Sequence, residues 1–163
     1  MAESRYLGAI VRRSAVQRLQ DGKNIELAAL TLADWAFLQE EAAHAIKRDL
    51  IETYTRNADL LPDDIRRATI LEAFKRAEDI RAETVPSEKS QRWIDETLRG
   101  RLMAVWRAML PFRPGLTLDD AAVLWGQREL ELEQAADLVA ELSAPTLGNG
   151  PPLQTVGAQT QAT

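Results

Sequence analysis

Apolar residues recur at helical spacing through most of the chain after Thr31, and the pattern predicts a mainly α protein. Trp35, Leu38, Ala42, Ala45, Ile46 and Thr53 share one face of a first helix running from about Leu32 to Ala58. Leu61–Pro62–Asp63–Asp64 ends that element and opens the next, because proline is tolerated at a first helical position and acids suit the helix N-terminus. A second helix to about Ala82 is expected to bury Ile70, Ala73, Phe74, Ala77 and Ile80. After Val85–Pro86, Ser87 caps a third long helix that continues to Met109. Its stripe is the cleanest in the chain: Trp93, Ile94, Thr97, Leu98, Leu102, Val105, Trp106 and Met109. Pro111 and Pro114–Gly115 stop it, and a last helix runs from Leu118 to about Leu142. The expected architecture is a bundle of about four helices spanning 31–142.

Two helix starts use nearly the same phrase. LTLADWAFL begins at Leu30 and LTLDDAAVL begins at Leu116. In each, a threonine (Thr31, Thr117) is placed to accept a backbone N–H, and an aspartate three positions later (Asp34, Asp120) completes a capping box. Leu30 and Leu116 precede the caps, where a hydrophobic staple forms. The segments diverge beyond these nine residues, so the repeat marks helix starts and not a duplicated domain.

The period changes before Leu30. In VQRLQDGKNIELAAL the pair Asp21–Gly22 lies between two half-apolar runs, which predicts a small β-hairpin. A helix over Tyr6–Leu19 competes, since Leu7, Ile10, Val11, Ala15 and Leu19 also fit a helical period. Residues 1–30 are read as a short helix or irregular arm followed by the hairpin. At the other end, 143–163 carries no charge and is rich in Gly, Pro, Thr and Gln. Such a segment builds no core of its own. It is either a loose extended tail or a strap laid along a partner through Leu147, Leu153 and Val156.

Composition narrows the function classes. The 163 residues are 45% hydrophobic and 28% charged, ordinary values for a folded domain. A formal charge of −5 speaks against a nucleic-acid binder, whose affinity comes from basic contacts with phosphate. No apolar run is long enough for a membrane span, and the first residues do not read as a signal peptide. With no cysteine, disulfides, thiolate metal sites and thiol nucleophiles are all excluded.

Four candidate sites follow from spacing. Glu41 and His44 form an E-x-x-H pair of the kind used by di-iron bundles, but that chemistry needs a second pair and the chain has one histidine, so no metal is expected. Ala122, Gly126 and Leu132 fit a helix-turn-helix, yet 118–143 holds seven acids against one arginine, a recognition element that phosphate would repel. Leu118, Trp125, Leu132 and Val139 recur every seven residues, with Ala121, Ala135 and Leu142 partly filling the second seam position. That stripe either packs on the domain's own core or docks a protruding acidic helix on another subunit, and Gly126 is where it would kink or break. Finally, Arg66, Arg67, Lys75, Arg76, Arg81, Arg92, Arg99, Arg101 and Arg107 make the middle of the chain basic while its end is acidic. This arrangement serves either internal pairing or head-to-tail contact between copies. No nucleophile elbow, phosphate loop or clustered His/Asp/Ser set is present, and the paired acids Asp63–Asp64 and Asp119–Asp120 belong to helix starts. No cofactor is expected.

The order of these passages resembles the small helical tail assembly chaperones of tailed bacteriophages. The resemblance lies in DGKNIELAALTLADWAFLQ, then LLPDDIRRATILEAFKRA, then RLMAVWRAMLPFRPGLTLDDAAVLW, covering about Gln20 to Leu132. It implies a protein without enzymatic activity that binds a tape-measure or tail-tube subunit in the host bacterial cytoplasm. The neutral tail departs from that pattern and suits a second role, a structural virion component such as a neck, connector or capsid-associated protein. A DNA-binding regulator ranks lower.

Overall fold

The computed structural model describes residues 12–80 and 88–144. A two-stranded hairpin, β1 (Ser14–Arg18) and β2 (Asn24–Ala28), precedes six helices. These are α1 (Leu32–Ala58), α2 (Asp63–Asp79), α3 (Glu88–Glu96), α4 (Leu98–Met109), α5 (Leu118–Trp125) and α6 (Glu129–Ser143). The strands pair antiparallel, Ser14 opposite Ala28 and Arg18 opposite Asn24. Gly22 takes φ +84° at the tight turn, the left-handed conformation that a glycine adopts without steric penalty. Ser14–Arg18 is therefore strand, not the end of a helix over Tyr6–Leu19; the residues up to Val11 lie outside those described.

Both capping boxes form. The hydroxyl of Thr31 accepts from the Asp34 N–H and that of Thr117 from the Asp120 N–H, while each aspartate accepts from its own threonine's backbone N–H. These caps fix where α1 and α5 begin.

The bundle has six helices where about four were expected, because two long helices are broken. The helix from Ser87 to Met109 divides at Thr97, whose backbone leaves the helical region (φ −93°, ψ 143°). Its hydroxyl donates to the carbonyl of Trp93 at 2.6 Å and accepts from the N–H of Gly100 at 3.0 Å, so one side chain closes α3 and opens α4. The helix from Leu118 divides after Trp125, at Gly126–Arg128. There the guanidinium of Arg128 reaches Asp21 in the hairpin turn at 2.7 Å and Glu131 at 3.3 Å. The second helix stops at Asp79, since Ile80 is extended, and residues 81–87 lie outside those described.

Two apolar clusters meet along α4. The larger joins Leu19, Ile25 and Leu27 of the hairpin region to Val105, Ala108 and Met109 of α4, Ala121 and Trp125 of α5, and Leu132, Ala135 and Val139 of α6. The smaller joins Leu38, Ile94, Met103 and Ala104, with Trp35, Phe37 and Trp93 packed at its edge. The first half of α1 belongs to this body, through buried Asp34, Leu38, Gln39, Ala42 and Ala43. Its second half has no buried residue until Ala58. From there α2 folds back along α1 and packs on no other element to a comparable extent. The pair forms a helical arm whose seam is made by Ala73 and Ala77, with Ile70 and Ile80 half-buried beside them. Phe74, expected inside, is 50% exposed because nothing among the described residues packs on that side of α2.

Candidate partner-binding surfaces

The sevenfold stripe turns inward. Trp125, Leu132 and Val139 are all at most 2% exposed within the larger cluster, beside Ala121 and Ala135, and Leu118 is half-buried against the smaller one. Trp125, Leu132 and Val139 are held by the chain's own core, and Leu118 keeps part of its surface exposed. Leu147, Leu153 and Val156 lie outside the described residues. The other face of α6 carries Glu129, Gln134, Asp137 and Glu141 to solvent, so the α5–turn–α6 unit offers an acidic surface where a DNA reader needs a basic one. His44 is exposed, with Nε2 3.9 Å from Glu40. Among the described residues no group of three His, Asp or Glu side chains is placed to hold a metal ion, and no helix is long and apolar enough to cross a membrane.

Two charge clusters, neither legible from spacing, tie distant segments together. Asp34 is 4% exposed and accepts from the backbone N–H of Thr31 at 2.8 Å, from its hydroxyl at 2.7 Å, and from Nε of Arg107 at 2.8 Å. Burial pushes its carboxyl upward, but the bonds from Thr31 and Arg107 outweigh burial and hold it below the ordinary carboxylate range. The Arg107 guanidinium also lies 5.1 Å from the centre of the Phe37 ring and 5.7 Å from that of Trp106. A cation so engaged ties α1 to α4.

The second cluster fixes the hairpin to α6. Glu131 accepts from the backbone N–H of Gln20 at 2.6 Å, its carbonyl accepts from Gln17 at 2.9 Å, and Arg128 bridges it to Asp21. The Arg128 hydrogen bond, helped by the N–H of Lys23, lowers the Asp21 carboxyl from 3.8 to about 2. A carboxylate with a depressed folded value stabilises fully above its ordinary value and loses that contribution as pH falls through the folded one. The hairpin is therefore expected to stay docked on α6 down to pH 4 and to loosen progressively between pH 4 and about 2. Amide shifts of Gln20 to Lys23 followed through an acid titration would check this; loosening complete by pH 4 would contradict it.

Several of the remaining basic residues pair locally. Arg56 meets Glu52, Arg76 meets Glu72 and Arg92 meets Glu88 one turn away, while Arg101 reaches Glu133 on the acidic α6 at 3.4 Å. The division into a basic middle and an acidic end is thus used in part for internal pairing.

A cleft of about 320 Å³ lies between α1, α3, α4 and α6. Leu30, Trp35, Ile94, Ala104 and Val139 give it an apolar floor, and Asp95, Asp137 and Arg101 stand at its edge. Nε of Arg101 donates to the backbone carbonyl of Asp95 at 2.6 Å. The cation is engaged there and at Glu133, so it does not converge with the carboxylates on a common point.

The arm is the more open surface. Its tip is held by Arg66, which donates to the carbonyls of Ala58, Asp59 and Leu61 at 3.2–3.3 Å and so closes the C-terminal end of α1. Around this clamp Leu60 is 87% exposed and Ile65 49%, and farther along α2 Leu71 is 58% and Phe74 50% exposed. Isolated exposed apolar residues are normal; here Leu71 and Phe74, three residues apart, lie side by side on one exposed face of α2.

The chain was compared with protein-family models, with curated proteins and with solved structures, and none matches.

Proposed function

We propose that the chain is a non-enzymatic assembly protein of the tailed-phage type, acting in the host bacterial cytoplasm by gripping another tail or virion polypeptide and needing no cofactor. The observation behind this reading is the α1–α2 arm, which holds Leu71 and Phe74 in water on a packed pair of helices. Helix faces of this kind bind other helices or apolar chain segments through side chains at three- and four-residue spacing. The resemblance of the order of sequence passages to that of tail assembly chaperones suggests the biological setting. The uncharged stretch after Ser143 favours a second reading, a protein retained in the particle as a neck, connector or capsid-associated component.

Size-exclusion chromatography with light scattering, run on the chain alone and with each tail and capsid protein encoded near it, tests the proposal. Co-elution with one of them is expected, weakened about tenfold or more when Phe74→Glu places a charge on the arm. A chain that ignores every virion protein and instead shifts labelled DNA overturns it.

A further inference from the structure

The outer face of α2 has an internal symmetry. Asp64, Arg67, Leu71, Phe74 and Glu78 are all exposed and follow one another at steps of three, four, three and four. That spacing places them on one seam, turned away from the Ala73–Ala77 seam that meets α1. After Asp64 the sequence of chemistry along it runs cation, apolar, apolar, anion, from Arg67 to Glu78. Laid antiparallel on a second copy of itself about a point midway between Leu71 and Phe74, the seam sets Leu71 on Phe74 and Arg67 on Glu78, each twice by the two-fold axis. In heptad terms every such layer joins an a position to a d position, the pairing that antiparallel helices adopt. A parallel arrangement would instead set Arg67 on Arg67 and Glu78 on Glu78. Neither Arg67 nor Glu78 has an ion-pair partner among the described residues, while Arg66 and Arg76 have partners one turn away.

We infer that α2 pairs antiparallel with α2 of a second copy of the chain, joining two arms into a four-helix bundle. The inference rests on the reading of the arm as the gripping element and adds a second copy of the chain as an occupant of its outer face in the absence of a virion polypeptide. An isologous contact needs a self-complementary patch, and the Arg67–Leu71–Phe74–Glu78 seam is one in its order of apolar and charged positions. One seam on a helix about 25 Å long buries less than the roughly 800 Å² per partner of a standard interface. The dimer is therefore a weak one, with a dissociation constant on the order of micromolar.

Sedimentation equilibrium of the full chain from about 1 μM to about 1 mM tests it. A monomer–dimer equilibrium is expected. Arg67→Glu or Glu78→Arg alone sets like charges together and is expected to weaken pairing about tenfold or more. The double variant R67E/E78R restores opposite charges only in the antiparallel register and is expected to return the dissociation constant to within about threefold of the starting value. All three changes are at exposed positions, and unchanged circular dichroism and melting temperature will show that the fold is intact. A chain that stays monomeric throughout, single reversals without effect, or a double variant no better than the singles each overturns the inference. A monomer that still captures a virion protein through Phe74 removes the self-pairing and leaves the assembly reading in place; a dimer that captures none does the reverse.

Discussion

Trp125→Ala is expected to destabilise the chain by about 3–5 kcal/mol, a large share of the 5–15 kcal/mol that holds a typical domain together. Trp125 closes α5 at 2% exposure, in the cluster where hairpin, α4, α5 and α6 meet. Alanine leaves a void that the hairpin, α4 and α6 would have to collapse around, and the hairpin and α6 are pinned to each other through Arg128 and Glu131. Its indole N–H finds no hydrogen-bond partner among the described residues. Trp125→Phe, which removes that buried donor along with part of the ring, is accordingly expected to be much milder, about 1 kcal/mol. Urea titrations at fixed pH measure both changes. The comparison also separates the two readings of the sevenfold stripe: on a partner seam the alanine change would leave the melt alone and abolish association. A melt unmoved by Trp125→Ala would mean that the stripe faces outward after all.

What the amino-acid pattern disclosed was local. Asp21–Gly22 between half-apolar runs gave a hairpin, and Thr31–Asp34 and Thr117–Asp120 gave helix starts, because each depends on bonds within four residues. The helix break at Thr97 was hidden, since the apolar stripe runs on through it, whereas Gly126 marked in advance the place where the last helix divides. Periodicity reports which face is apolar and says nothing about whether the axis continues. Arg128 at the second break is bonded to Asp21, 107 residues away, and α4 is tied to α1 by Asp34 and Arg107, 73 residues apart. Phe74 fails for a related reason. Its spacing from Ile70 and Ala77 predicts burial only if another element arrives on that side, and no described element does. The inward stripe and the outward seam of α2 obey the same heptad rule, so sequence could find both but could not tell which one the core would claim.

Gly100→Ala sets two effects of opposite sign against each other. Gly100 sits in the first turn of α4, where replacing glycine by alanine ordinarily stabilises a helix by about 1 kcal/mol. Here an added Cβ would stand 2.4 Å from the carbonyl oxygen of Trp93 and 2.7 Å from both the Cα and the carbonyl oxygen of Ile94. These are backbone atoms of α3, so no rotamer change relieves the contact and the two helices must separate. Separation draws Ile94 away from Met103 and Ala104 in the smaller cluster and loosens the Thr97 bonds that join α3 to α4. Overpacking at a fixed backbone is expected to win, leaving the variant about 3 kcal/mol less stable with its helical content largely retained. Gly115→Ala is the matched control, because a Cβ there meets nothing within 4 Å and the change should be neutral or slightly stabilising. If Gly100→Ala instead raises the urea midpoint as helix propensity alone would have it, α3 does not lie against α4 at this distance. The break at Thr97 would then be a flexible joint and not a packed corner.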